Sequence, residues 1–159
     1  MITVKIKRNT NGDTRVATKV PTFQEFGEAN RLHTQDVKRM MWEFSEEIKN
    51  RGVSHDWSKL NEPHRSTFYR ELCKTIEGQM NFEEGEWYKF HCENERHHLL
   101  NHCPDDVTLI DVIEMICDCV CAGMARSGSV RDLEINKEIL ERAVSNTVKM
   151  LEDIVELED

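Results

Sequence analysis

The chain has 159 residues, a length that fits one domain around one hydrophobic core. Its formal net charge of −9 at pH 7 argues against a protein that grips long nucleic acid, which normally presents a basic stripe. No apolar run reaches the roughly 20 residues that span a bilayer, and no apolar signal core follows the N-terminal charges. We therefore expect a cytoplasmic protein without a membrane partner.

The N-terminal residues 1–19 are predicted to form a β-hairpin. Residues 3–7 and 14–18 read as short strands, and Asn11-Gly12 between them is a strong two-residue hairpin signal. A lone hairpin is marginally stable, so we expect it to pack on the rest of the protein or on a partner.

After Pro21 the apolar residues recur with a helical period. This predicts a long helix that ends near Gly52, a residue suited to a helix C-cap. Ser54 is the predicted N-cap of a short helix, and Pro63 suits the first turn of a third helix that runs to about Gly78.

Three further helices are expected, at residues 84–101, 109–126 and 132–157. Thr108 and Asp111 have the spacing of a capping box at the start of the second of these helices. This reading explains Asp111 without any functional role.

The predicted fold class is mostly α, a helical bundle with a short N-terminal β-hairpin. We expect one domain over residues 1–159, with the helical core at 22–157. The six cysteines are not expected to form disulfides, and Cys117 and Cys121, one turn apart, are expected to be buried as small apolar residues.

One predicted helix carries an unusual polar face. His91, Asn94, Glu95 and His98 follow the spacing i, i+3, i+4, i+7, so they point the same way on a regular helix. Such a face suits metal ligands and the groups that orient them. His97 joins this set only if the helix ends early. The plain alternative is a polar surface.

Asp118 stands inside an otherwise apolar helical stretch. A buried carboxylate without a partner is costly, so Asp118 is expected to be paired or to bind a metal. Glu114 lies one turn earlier and could share its face.

His55 and Asp56 are adjacent, and Lys59 follows within one helical turn. A protonated lysine cannot ligate a metal, but it can meet the negative charge of a phosphate beside one. The plain alternative for Lys59 is a solvated side chain in an i, i+3 ion pair with Asp56.

An isolated histidine, an adjacent His-Asp pair and a distant aspartate in a later helix together resemble the HD superfamily of metal-dependent phosphohydrolases. The string at residues 55–59 is similar to the His-Asp-x-x-Lys form of several branches, including the cyclic-dinucleotide phosphodiesterases. In more detail, the chain resembles a small uncharacterised family found in phages and Firmicutes. The pieces that carry this resemblance lie at residues 55–59, 91–98, 108–118 and 134–137.

The resemblance implies an HD-domain-like bundle and a set of functional residues. One divalent metal would be held by His33, His55, Asp56 and Asp118. A second would be held by His91 and His98, with His97 as a substitute. Lys59 would lie on the phosphate side, and Asn94 and Arg126 are further candidates for substrate contacts. Imidazole-rich ligation favours Mn, Fe, Co, Ni or Zn over Mg alone.

The expected activity is hydrolysis of a nucleotide or another small phosphate ester by metal-activated water, with Asp56 as ligand or base. Ala29 stands where the bimetallic phosphodiesterases carry a glutamate, and their Gly-Tyr-Pro signature is missing. Cyclic-dinucleotide cleavage is therefore not expected, and the number of metals is open.

Two alternatives remain from other functional classes. The first is a non-catalytic metal-binding regulatory or interaction protein, such as a phage product that acts in the host cytoplasm. The second is a helical domain whose histidines bind nothing. The last predicted helix suits either a core or the surface of a homodimer.

Overall fold

The computed structural model of the protein describes residues 1–8, 11–13, 15–130 and 132–158. The fold is mostly helical, as predicted, with a 3₁₀-helix at Phe82–Glu84 between the third and fourth α-helices. The elements in chain order are strand β1 (Val4–Lys7), helices α1 (Phe23–Ser54), α2 (Trp57–Leu60), α3 (His64–Ile76), α4 (Glu86–Asn94), α5 (Leu109–Ser127) and α6 (Lys137–Glu152), and strand β2 (Val155–Glu158). Among the described helices, none is long and apolar enough to cross a membrane.

The chain divides into two compact units. Unit 1 consists of residues 1–49 together with the residues from Val148 onward, and unit 2 consists of Asn50–Thr147. The single domain expected over residues 1–159 stays a prediction.

The sheet of unit 1 is parallel and joins the two ends of the chain. Strand β1 pairs with β2, with Val4 opposite Val155 and Ile6 opposite Leu157. The prediction that helix extends to residue 157 was therefore wrong, because apolar and acidic residues alternate in β2 with the period of a strand.

The predicted hairpin was also wrong. Asn11-Gly12 does form a turn, but the described residues that follow it, 15–18, are turn, coil and bend rather than strand. Thr14 lies outside the described residues. The Asn11 side chain accepts hydrogen bonds from the backbone N–H groups of Thr18 and Lys19, each at 3.2 Å. These bonds hold Asn11 against residues 18 and 19.

Helix α1 runs through Gly52 to Ser54 instead of ending at the glycine. The hydroxyl of Ser54 donates to the carbonyls of Asn50 and Arg51 in the last turn of α1, so it does not cap the next helix as predicted. Asp56 is the N-cap residue of α2 instead.

The core of unit 2 is built on α5 and α6 and on the segment before α5. It consists of Leu99, Val107, Val112, Met115 and Ala143. Burying each of the larger side chains contributes about 1.5–3 kcal/mol, so this cluster holds the site-bearing elements together.

Helix α4 ends at Asn94, well before the predicted residue 101. Beyond it, Glu95, His97 and Leu99 are buried while the residues between them are more exposed. A regular helix cannot bury alternate residues on one face, so packing pulls this segment out of the helix.

Helix α5 begins with the predicted capping box, in which the Asp111 carboxylate accepts the backbone N–H of Thr108 at 2.8 Å. It ends at Gly128, whose φ of 70° suits a residue without a Cβ. All six cysteines are free. Cys117 and Cys121 are exposed, so the prediction that they are buried was wrong, because the C-terminal half of α5 faces solvent.

Candidate metal centre

Asp56 lies at the turn between α1 and α2 in the left-handed region, with φ 56° and ψ 32°. Aspartate tolerates this conformation better than most residues do. Its Oδ2 accepts a hydrogen bond from the Lys59 ammonium and lies 3.3 Å from Nε2 of His55. Its Oδ1 lies 3.5 Å from Nε2 of His91 and 3.7 Å from Nε2 of His97. The carboxylate thus stands between two sets of imidazoles.

The first set of candidate ligands is His55, Asp56 and Asp118, whose ligand atoms lie within 4.8 Å of one another. Nε2 of His55 is 3.6 Å from Oδ1 of Asp118. Burial alone would raise the pKa of Asp56, but Lys59 and the nearby imidazoles outweigh it and hold the pKa below its usual value. Asp56 is therefore ionised at neutral pH, as a metal ligand must be.

The second set is His91, His97 and His98, which meet the same 4.8 Å limit. Nε2 of His91 and Nε2 of His98 are only 2.7 Å apart. Burial and the adjacent His98 lower the pKa of His91 to about 3, and burial and the adjacent His97 lower the pKa of His98 to about 4. Both rings are therefore neutral at pH 7, with lone pairs that can bind a metal.

Glu114 on α5 connects the two sets. Its Oε1 lies 3.0 Å from Nδ1 of His55 and 3.2 Å from Nδ1 of His97, and its Oε2 accepts a hydrogen bond from Arg51 at 3.1 Å. Burial would raise its pKa, but His97, His55 and Arg51 outweigh that effect and lower it. Glu114 therefore adds a negative charge behind the imidazoles.

Asp111 has a second role beyond the capping box. It is fully buried and accepts two hydrogen bonds from Arg96, at 2.8 and 2.9 Å, and another from Arg51. Burial would raise its pKa, but Arg96, Thr108 and Arg51 hold it below the usual value. The paired charges tie the start of α5 to the end of α1 and to the segment after α4.

His91 is fixed from the side away from Asp56. Its Nδ1 lies 2.7 Å from the hydroxyl of Ser58, which is fully buried. The backbone N–H of Ser58 donates to Glu95 at 2.9 Å, and the indole of Trp87 stacks on the imidazole with ring centroids 4.6 Å apart. These contacts turn Nε2 of His91 toward Asp56 and His98.

Three buried polar atoms in this cluster have no hydrogen-bond partner within the described part of the chain: Oδ1 of Asp56 and both ring nitrogens of His97. Nδ1 of His97 lies near Glu114 but is poorly directed toward it. A buried polar group left unsatisfied costs about 1–3 kcal/mol. A cation between Oδ1 of Asp56 and Nε2 of His97 would satisfy these two atoms, and nitrogen and carboxylate donors suit Mn, Fe, Co, Ni or Zn.

His97 also shows that the site favours positive charge. Burial lowers its pKa, but Glu114, Asp56 and Asp118 outweigh that effect and raise it. The charges that hold a proton on this ring would equally attract a metal ion. The donor set therefore fits a divalent cation.

Most of the predicted site residues lie close together in unit 2. The structure brings together His55, Asp56, Lys59, His91, His97, His98 and Asp118. His97 joins the cluster because α4 ends early.

Three predicted residues are not brought into this cluster. His33 lies in unit 1, is exposed and belongs to none of the ligand groups found among the described residues. Asn94 is exposed and its amide donates to the carbonyl of Phe90, so Glu95 rather than Asn94 faces the cluster. Arg126 is exposed in the last turn of α5. Their roles stay predictions.

Sequence reasoning did not assign site roles to Glu114, Arg51, Arg96 or Ser58. Glu114 carried a usable signal, because it lies one turn before Asp118 on the same helix. Ser58 and the two arginines carried none, since their partners lie 15 to 63 residues away along the chain.

No curated protein and no solved structure matches the chain. A protein-family model described as "Family of unknown function (DUF5662)" matches residues 23–157, which include every candidate ligand in unit 2. The chain therefore belongs to the DUF5662 family.

Proposed function

We propose that this protein is a metal-dependent phosphohydrolase that cleaves a nucleotide or another small phosphate ester. The observation that carries the proposal is the position of Asp56, whose two carboxylate oxygens face different sets of imidazoles. The similarity of residues 55–59 to the His-Asp-x-x-Lys form of HD phosphohydrolases supports the same conclusion.

The residues would divide between two metal ions, with one oxygen of Asp56 available to each. One would be held by His55, Asp118 and Oδ2 of Asp56. The other would be held by the second set of imidazoles together with Oδ1 of Asp56. When bound, such ions supply a water of lowered pKa and polarise a phosphoryl oxygen.

The charges around the site support binding of a phosphate. Arg51 and Arg96 offset Asp111 and Glu114, with which they pair. The remaining acids, Asp56, Asp118 and Glu95, outnumber Lys59, so the site carries excess negative charge without metal. Two divalent cations would reverse this sign and make the site attractive to an anionic ester.

Differences in exposure indicate the side from which a substrate enters. The side chains of His55, Asp118 and Lys59 are 27%, 30% and 32% exposed, whereas those of His91 and His97 are 3% and 2% exposed. A phosphate would therefore meet the first ligand set and Lys59. The lysine would bind a phosphate oxygen while it keeps its contact with Asp56.

The test begins with metal content. Untagged protein purified without chelators is analysed by elemental mass spectrometry beside Asp56→Ala. We expect close to two equivalents of metal in the wild type, and their loss in the variant. Nucleotides and generic phosphate esters are then screened with the metal found. Wild-type protein that stays metal-free after reconstitution, or that turns over none of these esters, would contradict the proposal.

A metal-stabilised interaction protein is the second candidate function. Apolar residues spaced one turn apart on α5, Ile116, Val120 and Met124, are 41%, 42% and 54% exposed. Such a strip is more typical of a surface that binds another protein than of a solvated helix. Bound metal without turnover would favour this candidate.

We place the protein in the cytoplasm, since six free thiols suit a reducing compartment.

A further inference from the structure

Glu114 is the acidic residue that contacts both sets of candidate ligands from behind. It is buried, with 8% of its surface exposed. One oxygen atom, Oε1, lies 3.0 Å from Nδ1 of His55 and 3.2 Å from Nδ1 of His97. His55 belongs to the first set of candidate ligands and His97 to the second.

The opposite nitrogens of the same two rings face the centre of the site. Nε2 of His55 is 3.3 Å from Asp56 and 3.6 Å from Asp118, and Nε2 of His97 is 3.7 Å from Asp56. A neutral imidazole carries one N–H and one lone pair. If Nδ1 donates its hydrogen toward Glu114, the lone pair of Nε2 must point toward Asp56, which is the arrangement a metal requires.

Glu114 is itself held in place independently of the histidines. Its second oxygen accepts a hydrogen bond from Arg51 at 3.1 Å, and Arg51 also bonds to the buried Asp111. Arg96 binds Asp111 through two nitrogens. Asp111 and Glu114 therefore each have an arginine partner. These partners hold Oε1 of Glu114 in place without a bound metal.

We propose that Glu114 is a positioning residue that orients one imidazole of each metal site, His55 and His97, and so strengthens metal binding at both sites. The inference rests on the metal-binding function proposed above. His55, His97 and Glu114 also form a candidate ligand group of their own. The inference assigns Glu114 as an acceptor behind the ligands instead, since Oε1 faces the Nδ1 atoms of both rings and Oε2 accepts a hydrogen bond from Arg51.

Glu114→Gln is a stringent test because the amide cannot accept hydrogen bonds from Arg51 and from the two imidazoles at once. A glutamine has one carbonyl oxygen, so its NH₂ group must face either Arg51 or the two imidazoles. Removing an acceptor behind metal-binding histidines typically weakens metal affinity about 10- to 100-fold. Because Oε1 serves both rings, we expect this loss at both metal sites.

The experiment is calorimetric titration of metal-free protein with Mn²⁺ and with Zn²⁺, for wild type, Glu114→Gln and Asp118→Asn. Asp118 belongs to one ligand set only, so Asp118→Asn is expected to remove one equivalent and leave the other affinity nearly unchanged. Glu114→Gln is expected to keep two equivalents, both weaker. A merely structural role for Glu114 would lower the thermal midpoint without changing either affinity.

A second variant covers the case in which Glu114→Gln does not fold. Arg51 bonds both Glu114 and Asp111 through Nη1. Arg51→Lys keeps the charge but carries it on a differently placed and more flexible ammonium group, so both affinities should fall by a smaller factor. Equal affinities in wild type and in the variants, or loss confined to one site, would overturn the positioning role. Wild-type protein without metal binding would instead overturn the proposed function itself.

Discussion

The two units use their charged residues in different ways. In the described part of unit 1, ion pairs lie at the surface, as between Arg31 and Glu28 at 2.6 Å and between Lys5 and Glu158 at 3.3 Å. In unit 2, Asp111 and Glu114 are buried and pair with arginines that are largely covered.

This difference indicates which unit carries a functional site. An exposed ion pair contributes about 0–1 kcal/mol and places little constraint on its neighbours. A buried pair must recover a desolvation cost of several kcal/mol, so its geometry has to be well defined. The costly groups of unit 2 converge on a few imidazoles, and the exposed pairs of unit 1 converge on nothing comparable among the described residues.

The largest effect should come from Asp56, which belongs to the first ligand set and faces two imidazoles of the second. We expect Asp56→Asn to lower the affinity for both metals by more than about 100-fold. Removing a group that only hydrogen-bonds to a ligand already lowers metal affinity about 10- to 100-fold. Hydrolysis should be lost with the metals. Elemental analysis and ester turnover measure both effects, and unchanged metal content would remove the basis for the comparison between the units.

A smaller and more selective effect is expected when each ligand set is damaged separately. His98→Asn should remove the metal of the second set and leave that of the first, whereas Asp118→Asn should do the reverse. Metal stoichiometry in the two variants, and in the double variant, measures this division. Loss of both metals from either single variant would show that the sets are one site.

Lys59 should affect the substrate more than the metal. We expect Lys59→Gln to lower kcat/KM about 10- to 100-fold, the range for a hydrogen bond that involves a charged group, with metal content unchanged. Lys74→Gln, in the last turn of α3, is the matched control and should behave as the wild type. A variant at position 59 with normal kinetics would assign Lys59 to the ion pair with Asp56 alone.

The stability of the metal-free protein should depend on pH below about 6.5. The pKa values of about 3 for His91 and about 4 for His98 lie below the unfolded value near 6.5, so only the unfolded chain gains these protons as the pH falls below it. The stability should therefore fall on acidification between 6.5 and about 4. The raised pKa of His97 has the opposite effect on stability. The stability that His97 contributes is fully present below its unfolded pKa of 6.5 and is lost as the pH rises through its folded pKa.

We expect a net loss of about 1 kcal/mol per pH unit just below 6.5, measured by urea unfolding of metal-free protein. The acids with lowered pKa values, Asp56, Asp111 and Glu114, add to this loss only as the pH approaches their unfolded values of 3.8 and 4.5. Replacing both His91 and His98 by asparagine should flatten the profile. A flat profile in the wild type would contradict the burial of these two rings.

The smallest effect is expected at His33. Unit 2 contains candidate ligands for both proposed metals without His33, so His33→Ala should leave metal content and turnover within a factor of about two, the ordinary context dependence of a surface substitution. His102→Ala, at another exposed histidine outside the ligand groups, serves as the matched control. Loss of a metal from His33→Ala would support the four-ligand set predicted from the sequence.

Local patterns predicted much of the fold and part of the site. The capping box of Thr108 and Asp111 and the stop at Gly128 appeared as expected, because both depend on residues within one turn. The proximity of His55, Asp56 and Lys59 has the same local origin. The hairpin failed because the partner of β1 is β2, which lies about 150 residues away along the chain.

The helical class and the mixture of imidazole and carboxylate donors followed from the sequence alone. So did the prediction that Asp118 is paired or binds a metal. The tertiary structure decided which of these donors meet. Because α4 ends at Asn94, His97 turns inward. Glu114 lies behind the rings of His55 and His97, and Cys117 is exposed. The physical reason is that helix propensity and capping act over a few residues, whereas burial and the pairing of buried charges depend on segments that only folding brings together.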